Sequence, residues 1–94
     1  MPTFAGNTSS SALSTPLNIP SKIISFSLVN KTSGSISVSV AILYGSTNTY
    51  IYSGTIGANA TYTDSAERLL LKDHSIYVLT NDSCDYSFSI IKPE

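Results

Sequence analysis

Charge is scarce in this sequence. Only 12% of its 94 residues are Asp, Glu, Lys or Arg, against about 25% in an average soluble domain. Five basic side chains against six acidic ones leave a net charge of −1, so there is no cationic footprint for a phosphate backbone or an anionic lipid surface. Neither a nucleic acid nor a membrane is expected as partner. Cys84 is the single cysteine, which excludes an internal disulfide. One cysteine and one histidine cannot fill a tetrahedral zinc site. No apolar run reaches the roughly 18 residues of a membrane-spanning helix, and Met1 leads into Pro-Thr-Phe rather than a basic segment and an apolar stretch. The reading is therefore a chain made in a cytoplasm, without a secretory leader.

What the chain does hold is hydrophobic residues, 41% of the total, and hydroxyls, with 18 Ser and 10 Thr. A mean hydropathy of +0.14 supports a folded core under a surface of hydroxyl and amide groups. The length allows one small domain.

Residues 1–20 contain three of the four prolines and show neither strand alternation nor a helical stripe. They read as an extended N-terminal arm ahead of a domain over 21–94. Phe4, Ala12, Leu13, Leu17 and Ile19 are spaced as apolar anchors, and docking on another chain is favoured over folding back on the arm's own domain.

From Ser21 the period becomes two. Ile24, Phe26 and Leu28 alternate with Ser25 and Ser27, and Ile36, Val38, Val40, Ile42 and Tyr44 alternate with Ser35, Ser37, Ser39 and Ala41, the pattern of strands with one buried face. The segment 30–34 between them has hairpin-loop chemistry, with Gly34 as the residue for positive φ. Thr49 to Ser53 reads as a further strand after a turn-rich stretch at 45–48. Gly54 and Gly57 punctuate short pieces at 55–56 and 61–63. Asp64 and Glu67 have the spacing of a weak capping box, which allows one or two helical turns before Leu69. Residues 75–80 put Ile76 and Val78 on one face and Tyr77 and Leu79 on the other. Tyr86, Phe88 and Ile90 alternate with Ser87 and Ser89 in the last strand. Six or seven short strands without a long helix predict an all-β fold, a small antiparallel β-sandwich or barrel, with a meander sheet open on one side as the alternative.

Candidate chemistry is thin. His74 sits in a turn and reads as a solvated loop residue. No G-x-S-x-G elbow selects one serine as a nucleophile. Cys84 lies near Asp82 and Asp85, which oppose thiolate formation. Those two aspartates lack the spacing of a calcium loop. Asp64 and Glu67 can be posed as a glycosidase pair but fit helix-start electrostatics more simply. No catalytic, metal or cofactor residue is assigned. Asn-x-Ser/Thr triplets at Asn7, Asn30, Asn59 and Asn81 are the chance yield of so much Ser and Thr. Of the six tyrosines, Tyr50 and Tyr52, read as sharing one strand face, are the pair best suited to a protein interface or a sugar platform.

The segments NIPSKIISFSLVN, SISVSVAILYG, YSGTIGANATYTD and LLLKDHSIYVLTNDS, followed by YSFSIIKP, together resemble the small β-sandwich accessory proteins of tailed-bacteriophage virions: head decoration, head-fibre and tail components. The likeness spans residues 18–92 and departs from the pattern at Asp73-His74, where a glycine is expected. It implies a non-enzymatic structural protein of the virion, a capsid decoration protein first, with a head–tail connector, tail or fibre-base component as the alternative. It also implies a homo-oligomer, a trimer being favoured, attached to the major capsid protein or another virion protein. The residues assigned to the partner interface are Phe4, Leu13, Leu17, Ile19, Tyr50 and Tyr52. A carbohydrate-binding module or adhesin built on Tyr50 and Tyr52 is a second class of reading.

Overall fold

The structure, a computed structural model, describes residues 3–14, 19–65 and 67–91. Its elements are β1 (Thr3–Thr8), β2 (Ser11–Leu13), β3 (Ser21–Val29), β4 (Ile36–Tyr44), β5 (Thr47–Ile56), β6 (Thr61–Asp64), β7 (Arg68–Leu70), β8 (Ser75–Thr80) and β9 (Cys84–Ile91). They form two antiparallel sheets, as the alternating pattern predicts. Sheet I runs β1-β9-β3-β6 with β7 also on β3, and sheet II runs β2-β8-β4-β5. The pairings nest, β1 on β9, β2 on β8, β3 on β6 and β7, β4 on β5. If β6 and β7 are taken as one interrupted strand, this is the wiring of a jelly roll, a long hairpin rolled into two facing sheets.

The first correction concerns the N-terminus. Residues 3–13 are not an arm apart from the sandwich but the outermost strands of both sheets. β1 pairs with β9 from Thr3↔Ser89 to Thr8↔Cys84, and β2 pairs with β8 from Ser11↔Leu79 to Leu13↔Tyr77. The alternation is hidden because Gly6, an inward position, has no side chain. The Tyr86 ring occupies that space instead, and a Cβ on Gly6 would lie 2.9 Å from its hydroxyl oxygen. Leu17 lies outside the described residues.

Asp64 to Glu67 hold no helical turn. β6 ends at Asp64, β7 begins at Arg68, and both pair with β3. Gly34 does not take positive φ; Gly45 does, at 61°, as the first central residue of the Gly45-Ser46 turn, which matches a type II′ hairpin. Asp73 adopts φ 70° and so fills the turn position where a glycine was expected, a conformation Asp tolerates better than most residues.

The inner faces differ in chemistry. Sheet I contributes aromatic rings: Phe26 stacks on Phe88 at 5.1 Å, and Phe4 sits 5.7 Å from Phe88 and 4.8 Å from Tyr86. Sheet II contributes aliphatic side chains, with Ile36, Val38, Val40, Ile76 and Val78 all buried. Each large side chain buried in this way is worth about 1.5–3 kcal/mol. At one end of the sandwich the buried Asn30 ties two loops together. Its amide donates to the carbonyls of Gly34, Ile56 and Gly57, and its Oδ1 accepts from the Thr32 N–H and hydroxyl.

Candidate interaction surface

Not one residue of the four sheet II strands is Asp, Glu, Lys, Arg or His. Directly opposed residues share a face, so the register Leu13↔Tyr77, Tyr77↔Ala41, Ala41↔Tyr50 lays one apolar row across all four strands on the outer side. Leu13 is 57% exposed, Tyr50 55%, and Ala41, flanked by the two tyrosines, 0%. The next row holds Ser11, Leu79, Ser39 and Ser53, with Leu79 41% exposed and a Ser39–Ser53 hydroxyl contact at 3.2 Å. On the other side of the tyrosine row lies Leu43, opposite Asn48 and Ser75. The outer face of sheet II is thus apolar at its centre and hydroxyl-bearing around it, and its strands carry no carboxylate or basic side chain.

Tyr50 and Tyr52 do not share a face. The β4–β5 register passes from Val40↔Tyr52 to Ala41↔Tyr50, leaving Ile51 as the extra residue of a β-bulge, which turns the two tyrosines to opposite sides. Tyr52 faces inward, against the core. Its ring stacks on Tyr62 of sheet I at 4.2 Å and closes the flank between β5 and β6. The same cluster continues through the Tyr62 hydroxyl to Asp64 Oδ2 at 3.2 Å, the two-pronged Arg68–Asp64 pair at 3.0 Å, and Arg68 over the Phe26 ring at 5.6 Å. Burial, helped by the Asp64 charge, pushes the Tyr62 phenol above its ordinary value.

The remaining candidates separate. Phe4 packs on the core from β1. Ile19 is exposed just ahead of β3. The structure therefore places Leu13 and Tyr50 on one face, at its opposite edges, and leaves Phe4, Ile19 and Tyr52 elsewhere. Sequence reading left Leu43, Tyr77 and Leu79 out of the candidate interface. The signal was available in 75–80, where both faces are apolar although a two-layer sandwich covers only one.

Other polar groups serve the fold. Glu67 pairs with Lys22 at 3.2 Å, while Arg68 holds Asp64, so the two carboxylates have separate partners. Asp85 accepts from Lys31 at 2.7 Å and from Asn7 at 2.6 Å, and these bonds, Lys31 foremost, hold its carboxyl below the usual range. Burial raises the Cys84 thiol. His74 is half-buried with its ring 5.1 Å from Tyr44, and its Nδ1 accepts from the Leu71 N–H at 3.3 Å. Among the described residues no pocket opens in the surface and no three potential metal ligands converge.

No family model and no curated protein matches this sequence. Solved structures do share its fold. A Drosophila NLP core, whose study describes pentamer formation and histone binding, superposes with a TM-score of 0.63 at 9% identity, covering 99% of this chain and 98% of the other. The Anabaena sensory rhodopsin transducer gives 0.60 at 14% identity, covering 85% and 94%. PirA gives 0.53 at 16% identity, covering 95% and 91%. At such identities the likeness establishes the sandwich fold alone.

Proposed function

We propose that this chain is a non-enzymatic structural protein of a bacteriophage virion, a capsid decoration subunit that works by surface contact with the shell and with copies of itself. The observation that carries this reading is the outer face of sheet II, a charge-free surface with exposed leucine and tyrosine on a domain of only 94 residues. Contiguous apolar surface of this kind marks a place where another protein binds. Domains of this size bury a modest share of their unfolded surface and gain from partners. The sequence resemblance to virion accessory proteins supplies the setting, and a repeating lattice multiplies weak contacts by avidity. Attachment through a free terminal arm is not part of the proposal, because β1 and β2 are strands of the sandwich.

Quantitative proteomics of purified particles of the encoding phage tests it. A copy number comparable to that of the shell protein supports decoration. A number matching a single ring points to a connector or tail component. Absence from the particle rejects the virion role.

A further inference from the structure

Among the described residues, no other element of the chain covers the outer face of sheet II. We infer that a second copy of this chain packs on it, face to face about a two-fold axis, through Leu13, Tyr50, Tyr77 and Leu79. This deepens the assembly reading above and rests on it.

The distribution of charge is compatible with a copy. The ionic residues of the described strands, Lys22, Asp64, Arg68 and Asp85, all belong to sheet I, while on sheet II charge is confined to turns at its ends, with Lys72 and Asp73 before β8 and Asp82 after it. A partner with a charged patch finds no counter-charge on the strands of sheet II and loses hydration there. A neutral face meets its own copy without like-charge repulsion, and an isologous contact needs only one surface that is complementary to itself. Tyrosine suits such a contact because its ring gives area while its hydroxyl keeps a hydrogen bond at the rim.

The area sets the strength. Strands of 3, 9, 10 and 6 residues, about 4.8 Å apart and rising about 3.3 Å per residue, make a face of roughly 440 Å². Two such faces bury about 900 Å², the size of a weak, concentration-dependent contact. The row also runs out to β2 and β5, uncharged strands on the edges of the sheet. Lysine, the usual guard of an exposed edge, is absent from both.

Sedimentation of the purified full-length chain over a wide concentration range tests the inference. The wild type is expected to approach twice the 10.0 kDa chain mass as its concentration rises. The Tyr50→Lys/Leu79→Lys double variant, altered at exposed positions, is expected as a monomer with unchanged circular dichroism and melting temperature. Thr63→Lys and Ser87→Lys, on the outer face of sheet I, are expected to leave the dimer intact. A wild type that stays monomeric, or that associates through a surface the double variant leaves untouched, overturns the inference. A monomer that is still incorporated in virions leaves the virion role standing, whereas a sheet II dimer absent from particles removes that role and keeps the dimer.

Discussion

Sheet I and sheet II share one core but meet the outside differently. Sheet I shows water Ser and Thr at its centre, with Ser87, Ser27 and Thr63 in one row, exposes Leu69 only out on β7, and closes its margins with Lys22–Glu67, Lys31–Asp85 and Arg68–Asp64. Sheet II has no charged residue on any strand and puts Leu13, Tyr77 and Tyr50 across its middle. The inner faces contrast in part: the phenylalanine rings come from sheet I together with Ile23, Leu28, Leu70 and Ile90, whereas sheet II is aliphatic apart from Tyr52. One chain can thus build a wet face and a sticky face on the same fold. Burial of the core does not dictate what the outer positions carry, so the outer face is where function is written.

The sharpest way to break this comparison is to remove the strand that each sheet takes from the N-terminus. Deleting residues 1–14 strips β1 from β9 and β2 from β8 and takes Phe4 off the aromatic stack. The truncated chain is expected to lose cooperative unfolding, as read by circular dichroism during urea titration. A sharp transition like that of the full chain would show that β1 and β2 are dispensable.

Both inner faces are expected to be sensitive to truncation. Phe88 lies between Phe4 and Phe26, so Phe88→Ala should cost about 3–5 kcal/mol, and Ile36→Ala on sheet II about 2–5 kcal/mol. Urea midpoints at constant slope provide the values. Asn30→Ala, at the loops joining the sheets, leaves buried carbonyls without a donor and should cost about 1–3 kcal/mol. Equal melting temperatures for Asn30→Ala and wild type would deny Asn30 its tying role.

Much of this was legible in the sequence. The strands from Ser21 onward announce themselves because Ser alternates with Ile, Val and Phe at period two. β1 stayed hidden because Gly6 stands where an inward side chain should be and Tyr86, 80 positions later, fills the gap. No local rule reveals such a long-range substitution. The Tyr50–Tyr52 face failed for a related reason: a one-residue bulge at Ile51 inverts the side-chain phase, and bulges leave no mark in composition. The sheet II row was half visible, since Tyr77 and Leu79 alternate with Ile76 and Val78. What could not be read was the register that lines Tyr77 up with Leu13, Ala41 and Tyr50.

The smallest expected effect sharpens the contrast from the ionic side. Asp85 has a lowered carboxyl value in the fold, so its contribution to stability is complete above the unfolded value near 3.9. It is lost as pH falls through the lower folded value. Asn7→Ala with Lys31→Ala should flatten the fall of melting temperature between about pH 4 and pH 2. Charge-free sheet II has no counterpart to this titration. An unchanged acid limb would separate Asp85 from sheet I stability.

Cysteine crosslinking compares the two outer faces most directly. Leu79→Cys, on sheet II, is expected to give a disulfide-linked dimer under mild oxidation of the concentrated protein, while Ser87→Cys, on sheet I, stays monomeric and buried Cys84 takes no part. Equal crosslinking from both faces, or none from Leu79→Cys, would contradict the assignment of sheet II as the face that meets a second copy.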